Sequence, residues 1–269
     1  MDVYSNSDLT VPSDKLIAFS GLAQHFQEYL AQDTYVAGMW LTQLPEALLW
    51  EVHLRSDGLT SRPLEYIAPS WSWASTKGQV TSQPPFVNTQ NLCSVLDVQV
   101  HSTVPGNAKG SLKGGFLRLR GNLMEKKNMD SEIMVALPSG YGFIPGSVYG
   151  KKDVPREDNC IEVQPDETTH DGKPSLSFLD GLTPDMISNG NMTQAVRKCR
   201  PWTESESDLF SFPLQWLQYM GQPQMCGLIL KLVEVQTQAT YQRVGRFTAL
   251  GDRTTSWVMF GLKTEVLIL

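Results

Sequence analysis

Apolar positions recur at helical spacing in residues 1–63. Pro12 and Ser13 precede Asp14, the order typical of a helix N-terminus in which a capping residue is followed by an acid. The apolar residues that follow predict a helix through about Ala31, and they are Leu16, Ile17, Leu22, Ala23, Phe26 and Leu30. We expect a second short helix over 34–41 and a third that begins at Pro45, so that residues 1–63 form a helical layer.

Beyond residue 63 the apolar period changes to that of strands. The clearest alternation runs from Phe116 to Met124, where Leu117, Leu119 and Leu123 share one face. Further strands are predicted at 92–100, 226–235, 240–249, 255–260 and 263–269. A strand at 132–137 is expected to pair with Phe116–Met124 across a turn at 125–130.

Residues 138–208 are rich in Pro, Gly, Asp, Ser and Asn and show little periodicity. An irregular stretch of that length is unusual inside a compact domain, so it is expected to be either a mobile insertion or a lid over a functional site. At 207–220 the apolar side chains predict a short helix that displays Phe210, Trp216 and Leu217, with Pro213 as an interruption.

The patterns together predict an α+β fold in a single domain, residues 1–269. A short N-terminal helical layer, 1–63, is expected to pack on an antiparallel β-sandwich or open β-barrel. The β-core is assigned to 64–137 and 225–269, and 138–208 is the irregular insertion or lid. Arg243 and Gly245 are expected to be structural, in a buried ion pair and a tight bend.

The net charge and the targeting signals limit the possible partners and the cellular location of the protein. The formal net charge of −6 argues against a nucleic-acid partner, which would need a basic face. The N-terminus lacks the pattern of a signal peptide, and no apolar stretch is long enough to span a bilayer, so a cytoplasmic protein is expected. In that compartment Cys93, Cys160, Cys199 and Cys226 are expected to be free thiols.

Motifs for metals, cofactors and nucleophiles are missing from the sequence. His25, His53, His101 and His170 are scattered, and none has a second His or Cys at ligand spacing. There is no phosphate-binding loop, no dinucleotide-binding glycine motif and no G-x-S-x-G nucleophile motif. We therefore expect neither a metal nor a cofactor.

Aromatic residues are the most prominent chemical feature. If the segment Trp71-Ser72-Trp73 is extended, its two indoles share a face and could line a pocket for an apolar ligand. The alternative is that these rings seal the helical layer onto the sheet. Trp202 and Trp216, beside the irregular segment, leave the same two alternatives open.

These segments resemble the C-terminal region of fungal heterokaryon-incompatibility (HET) proteins. The resemblance is most specific at Pro69-Ser70-Trp71-Ser72-Trp73-Ala74-Ser75. Weaker similarities occur in the same order along the chain, at 9–10, 14–23, 35–40, 48–50, 62–63, 115–121, 227–230, 241–247 and 266–269. The HET domain that normally precedes this region, and that is implicated in cell-death signalling, has no counterpart here, so a free-standing C-terminal region is expected.

The resemblance implies two functions. HET-like proteins of fungal biosynthetic clusters include some similar to cofactor-free Diels–Alder cyclases, which would act on an apolar polyene or terpenoid. In that case the stacking wall would be drawn from Trp40, Trp50, Trp71, Trp73, Trp202 and Trp216, and the catalytic hydrogen-bond donors from His53, Arg62, Tyr66 and Tyr219. The alternative is a non-enzymatic protein-interaction module of self/non-self recognition, with the irregular segment as its contact surface. The sequence leaves the oligomeric state open.

Overall fold

A computed structural model describes most of the chain outside its central segment. The described residues are 2–5, 9, 11–30, 32–53, 61–77, 79–82, 88–105, 107, 109–125, 133–135, 161–167, 208–219, 222–234, 238–250 and 263–269. Helix α1 spans Asp2–Ser5, and helix α2 spans Lys15–Gln27 after a 3-10 turn at Pro12–Asp14. Three more 3-10 turns lie at Leu41–Gln43, Glu46–Leu49 and Trp73–Ser75.

Strands make up most of the described chain. Before residue 112 they are β1 (Tyr35–Val36), β2 (Met39–Trp40), β3 (Glu51–His53), β4 (Gln79–Thr81), β5 (Gln90–Asn91) and β6 (Ser94–Ser102). From residue 112 they are β7 (Leu112–Asn122), β8 (Met124–Glu125), β9 (Ile133–Val135), β10 (Ile161–Pro165), β11 (Leu209–Tyr219), β12 (Gln222–Glu234), β13 (Thr240–Leu250) and β14 (Lys263–Ile268).

One large mixed sheet runs in the order β5-β11-β12-β13-β14-β7-β6. Neighbours along it are antiparallel except β13 and β14, which are parallel. Strand β8 follows β7 after Leu123 and pairs with β11. The strands β11, β12, β13, β14 and β7 with β8 therefore return to their start, which makes the sheet nearly a barrel.

Glycine permits this closure at one crowded point. A Cβ at Gly121, near the end of β7, would lie 2.8 Å from Cζ of Phe212 and 2.9 Å from Cβ of Cys93. Phe212 is fully buried and belongs to β11, the strand against which β7 and β8 close. A side chain at position 121 would push these two parts of the barrel wall apart.

The predicted fold class is confirmed, since a short helical layer packs on this barrel-like sheet. One hydrophobic core includes Leu16, Leu48, Trp50, Trp71 and Trp73 of the N-terminal layer. It continues into the sheet through Leu117, Leu119, Phe212, Leu228, Val266 and Ile268. No helix among the described residues is long and apolar enough to cross a membrane.

Two of the three helices predicted for the N-terminal layer are not α-helices. Residues 34–41 form the hairpin of β1 and β2, because Ala37 and Gly38 at its tip both have positive φ. Pro45 does precede a helical turn, but the turn is a short 3-10 helix that ends at Leu49 and leads directly into β3. Helix α2 is present, although it ends at Gln27 rather than near Ala31.

Most predicted strands are confirmed, with two corrections of pairing and type. Residues 207–220 are not a helix but strand β11, in which Pro213 sits at a register shift where a missing backbone donor is tolerated. The 132–137 strand does not pair with β7; the part described as β9 pairs with β10 in parallel. Strand β7 pairs with β6 and β14. The predicted strand at 255–260 lies outside the described residues.

The segment 138–208 is not entirely irregular. Its residues 161–165 form β10, which pairs with β13 in antiparallel register from Ile161↔Ala249 to Pro165↔Gly245. The next residue, Asp166, is buried. Apart from residues 161–167 and 208, the segment lies outside the described residues.

Candidate functional site

The tryptophan segment, residues 69–76, is a buried turn. Ser72 caps the 3-10 turn Trp73–Ser75 by accepting a hydrogen bond from the Ala74 N–H, and its hydroxyl donates to the carbonyl of Ala37 at 2.6 Å. The indole of Trp73 donates to the Gly38 carbonyl at 2.9 Å. A Cβ at Gly38, where φ is +94°, would lie 2.4 Å from that indole nitrogen, so only glycine fits the β1–β2 tip here.

Trp50 links the backbone of Trp71 to the guanidinium of Arg243. Trp50 donates its indole N–H to the Trp71 carbonyl at 2.9 Å, and the Arg243 guanidinium stacks over the Trp50 ring at 3.2 Å from its centroid. Arg243 also donates to the carbonyls of Leu48 and Trp50, at 2.8 and 2.7 Å. The arginine thus satisfies backbone acceptors at the end of the Glu46–Leu49 turn, where a helical turn leaves carbonyls unpaired.

Asp166 neutralises this buried arginine. Its Oδ1 lies 3.0 Å from the Arg243 guanidinium, and its Oδ2 lies 3.4 Å from that of Arg62. Burial lowers the pKa of Arg243 to about 10, while the Asp166 carboxylate opposes that shift. Since an unpaired buried charge is costly, the ion pair fastens the end of β10 to β13 and to the helical layer.

Arg62 extends the network toward the tryptophan segment. It donates to the Ser75 hydroxyl at 2.8 Å and to the Arg243 carbonyl at 2.6 Å. Its Nε lies 2.7 Å from a Glu167 carboxylate oxygen. A fourth ion pair joins Arg246 to Glu51 at 2.8 Å. Three arginines are matched by three carboxylates in this network, an arrangement suited to holding elements together.

The predicted stacking wall has a different geometry. The tryptophan segment is a turn and not an extended strand, so the proposed shared face of Trp71 and Trp73 is not formed. Both rings, and that of Trp50, have 0% exposure, which is the sealing arrangement weighed as the alternative. Trp40 and Trp216 are half-buried, and Trp202 lies outside the described residues. A role for the three sealed rings in binding would require this cluster to open.

Of the four predicted catalytic donors, the structure describes the side chains of Arg62 and Tyr66. Arg62 is occupied in the ion-pair network described above. Tyr66 is about half exposed. The partial burial of its hydroxyl raises the pKa of Tyr66 to about 12, so the hydroxyl keeps its proton at neutral pH. For His53, in β3, and Tyr219, at the end of β11, only the backbone is described.

Lys15 is a buried cation that the sequence patterns did not single out. Its ammonium donates to the Thr76 carbonyl at 2.7 Å and lies 5.0 Å from the centroid of a Trp73 ring. Burial lowers its pKa to about 8. Within the described ranges, no group of three or more His, Cys, Asp or Glu residues is arranged to hold a metal ion.

Helix α2 presents an apolar face to solvent. Its surface consists of four rows of residues spaced four apart, and the rows that contain Leu16 and Ala23 face the protein. The other two rows are exposed, and we call them the α2 face: Ile17, Gly21 and His25 in one row, Ala18, Leu22 and Phe26 in the other. Leu22 is 49% exposed, Phe26 is 53% exposed, and Tyr29 directly beyond the helix is 75% exposed.

This face carries no Lys, Arg, Asp or Glu side chain. Lys15 is the only Lys, Arg, Asp or Glu in Lys15–Gln27, and it is buried. A surface helix normally places charged residues on its solvent side. The helical spacing of Ile17, Leu22 and Phe26 predicted a helix but did not indicate which of its faces is exposed. The signal that could have revealed it is the absence of charge between Lys15 and Glu28.

Sequence reasoning also missed the carboxylates of the arginine network. Asp166 lies in the aperiodic segment, and Glu51 follows a turn that was expected to be helical.

Comparisons of the chain with protein-family models, with curated proteins and with solved structures found no match.

Proposed function

We propose that this chain is a non-enzymatic protein-interaction module that docks a partner on the α2 face. The observation that carries the proposal is an exposed helix surface with large apolar side chains and no Lys, Arg, Asp or Glu. Exposed apolar patches of this kind mark interaction sites. About half of Leu22 and of Phe26 is exposed, and a docked partner would bury that apolar area.

The sealed tryptophan cluster fits a supporting role. Hydrogen bonds from Trp50 and Trp73 join the tryptophan segment to neighbouring N-terminal segments, and the Arg243 stack joins Trp50 to β13 of the sheet. Phe19 packs on Trp73 with ring centroids 5.3 Å apart, so α2 is held on a rigid base. A rigid base lowers the ordering cost of docking. The resemblance to HET proteins supports the same proposal, since recognition of self and non-self depends on protein contacts.

Site-specific photo-crosslinking tests the proposal. A photoreactive amino acid replaces Phe26 in the full chain, produced in its native host, and the matched control carries it at Val233, which is equally exposed on β12. We expect a discrete protein adduct at position 26 and none at position 233. Equal labelling at both positions, or no protein adduct at position 26, would overturn the proposal.

A cofactor-independent cyclase of the Diels–Alder type is a second candidate function, favoured by Trp216. Its ring is half-buried on β11, and its indole N–H is buried without a hydrogen-bond partner in the described part of the chain. A ring with an unused donor could stack on a polyene and polarise a carbonyl. Mass spectrometry of protein purified from the native host tests this candidate. A bound apolar metabolite that is lost in Trp216→Ala would favour the cyclase.

A further inference from the structure

The α2 face has a shape that suits another helix. Its two exposed rows are ridges with a groove between them, and Gly21 interrupts the first ridge. A Cβ at Gly21 would meet nothing within 4 Å. The notch at Gly21 is therefore open to solvent, and a large apolar side chain of a docked helix could enter it between Ile17, Leu22 and His25.

Nothing inside the fold requires glycine at this position. Gly21 lies in the interior of a regular helix, where glycine is less favourable than alanine. Its φ is not in the left-handed region, and no other part of the described chain approaches the position of a Cβ there. Other glycines differ in this respect: Gly38 and Gly121 are required by close contacts with Trp73 and Phe212. The space at Gly21 is useful only to something that docks from outside.

The exposed charges that directly flank helix α2 are acidic. Asp14 is exposed immediately before the helix, and Glu28 is exposed immediately after it. Lys15 is buried, and Lys109 donates to Gln24, which lies outside the two rows. The chain as a whole carries a formal charge of −6.

These charges distinguish between possible occupants. Two copies paired through α2 would place Glu28 against Asp14 if antiparallel and Asp14 against Asp14 if parallel, and like charges at an interface are unfavourable. An anionic membrane surface would be repelled by the net charge, since membrane-bound amphipathic helices are rich in Lys and Arg. A partner helix with cationic ends would be repelled neither by Asp14 and Glu28 nor by the negative net charge.

We propose that the α2 face binds an amphipathic helix of another protein, with Lys or Arg at both ends of its apolar stripe and a large apolar side chain that fills the Gly21 notch. This inference rests on the proposed interaction function and specifies the partner's chemistry. The apolar contacts provide the affinity, and the basic ends set the orientation against Asp14 and Glu28.

A displayed library of helical peptides tests the partner's chemistry. The peptides have one random apolar stripe and random residues at its ends, and the full chain is the bait. We expect enriched peptides to carry Lys or Arg at the ends and Leu, Ile, Phe or Met at the centre. Gly21→Gln, which fills the notch and favours the helix, should weaken binding of a purified enriched peptide at least tenfold. Gln24→Ala, outside the two rows, should leave it within twofold.

The outcomes separate this inference from the function beneath it. Enriched peptides with acidic or neutral ends, or peptides that bind Gly21→Gln as well as the parent chain, overturn the helix-partner inference while a crosslink at position 26 preserves the interaction module. Self-association through α2, seen by sedimentation and abolished by Gly21→Gln, also overturns it in favour of a second copy. Binding to anionic vesicles that is lost in Phe26→Ser overturns it in favour of a membrane surface.

Discussion

Arg243 shows how one buried charge can join three parts of a chain. Its guanidinium contacts Leu48 and Trp50 of the helical layer and Asp166 beyond β10, while its backbone N–H donates to the Ser70 hydroxyl at 3.0 Å. Arginine suits this position because its planar, multi-donor head can pair with several acceptors and stack on an indole at once. Lysine could not reproduce this geometry.

Replacing Arg243 by methionine should destabilise the fold by about 3–5 kcal/mol, because the substitution leaves two carbonyls and Oδ1 of Asp166 buried without their donor. Chemical denaturation of the two proteins measures the change. The double variant Arg243→Met/Asp166→Leu removes the orphaned carboxylate and should recover at least about 1 kcal/mol of that loss. A double variant no more stable than the single one would show that the ion pair is not the main cause.

Lys15 should make stability depend on pH. Burial lowers its pKa from 10.5 to about 8, so between these values the unfolded chain binds more protons than the folded chain. Its contribution to the free energy of unfolding therefore rises with pH across that window, by about 3 kcal/mol, and is constant below it. Other groups act in the opposite sense, since burial raises the pKa of Cys93 to about 12.

The Lys15 contribution is isolated by subtraction. The free energy of unfolding is measured from pH 7 to 10.5 for the parent chain and for Lys15→Met, and the difference should rise above pH 8 in favour of the parent. The same subtraction with Lys77→Met, an exposed lysine near the same segment, should be flat. A flat difference for Lys15 would mean that its ammonium is well solvated.

The structural role of a single residue could be predicted where its expected burial and its chemistry indicate the same kind of contact. An ion pair for Arg243 was expected and is confirmed, but its partner lies 77 positions away in a segment without periodicity, so no local pattern could identify Asp166. For the tryptophans the sequence left two alternatives open, a pocket wall or a seal between the layers, and in the structure the rings of Trp50 and Trp73 are fully buried. Their orientation depends on the Gly38 and Trp71 carbonyls, and those contacts are set by the tertiary fold.

At the scale of elements, the aromatic-rich segment 207–220 was predicted as a helix, but it contains strand β11. Strand β11 contains Phe210, Phe212, Leu214, Trp216 and Leu217, and such a run is compatible with either a helix or a strand. Pairing with β12 on one side and with β5 and β8 on the other decides for the strand. The helix α2 was predicted correctly, but its side chains are apolar nearly all round, so periodicity could not select the buried face.

Strand β10 should depend on the Asp166 anchor. Asp166→Asn keeps the shape of the side chain but removes the charge that neutralises Arg243. We expect the backbone amides of β10 to exchange hydrogen at least tenfold faster than in the parent chain, while those of β12, in the middle of the sheet, change less. Glu167→Gln, which touches only Arg62 at a more exposed position, serves as the control. Equal acceleration in β10 and β12 would indicate global destabilisation and no specific anchor.

The whole molecule is organised by contacts that are distant in sequence. The barrel-like sheet closes where β8 meets β11, and β14 enters between β13 and β7. Alternation along each strand predicts which side chains are buried but carries no information on strand order. That is why an α+β class with a barrel or sandwich could be predicted from the sequence, whereas the strand order could not.

Closure of the barrel should be sensitive to a single methyl group at Gly121. A Cβ there would lie 2.8 Å from Phe212 and 2.9 Å from Cys93, both buried, so Gly121→Ala should destabilise the protein by about 1–3 kcal/mol. Gly114 lies on the same strand, and a Cβ there would meet only His101, at an ordinary 3.5 Å. Gly114→Ala should therefore be neutral or slightly stabilising.

Denaturant unfolding of the Gly121→Ala and Gly114→Ala variants compares their free energies of unfolding directly. Because the core is continuous from Trp50 through Phe212 to Ile268, we expect fluorescence and circular dichroism to give coincident transitions in each variant. Equal effects at the two positions would show that strand glycine content, and not closure at Phe212, controls stability.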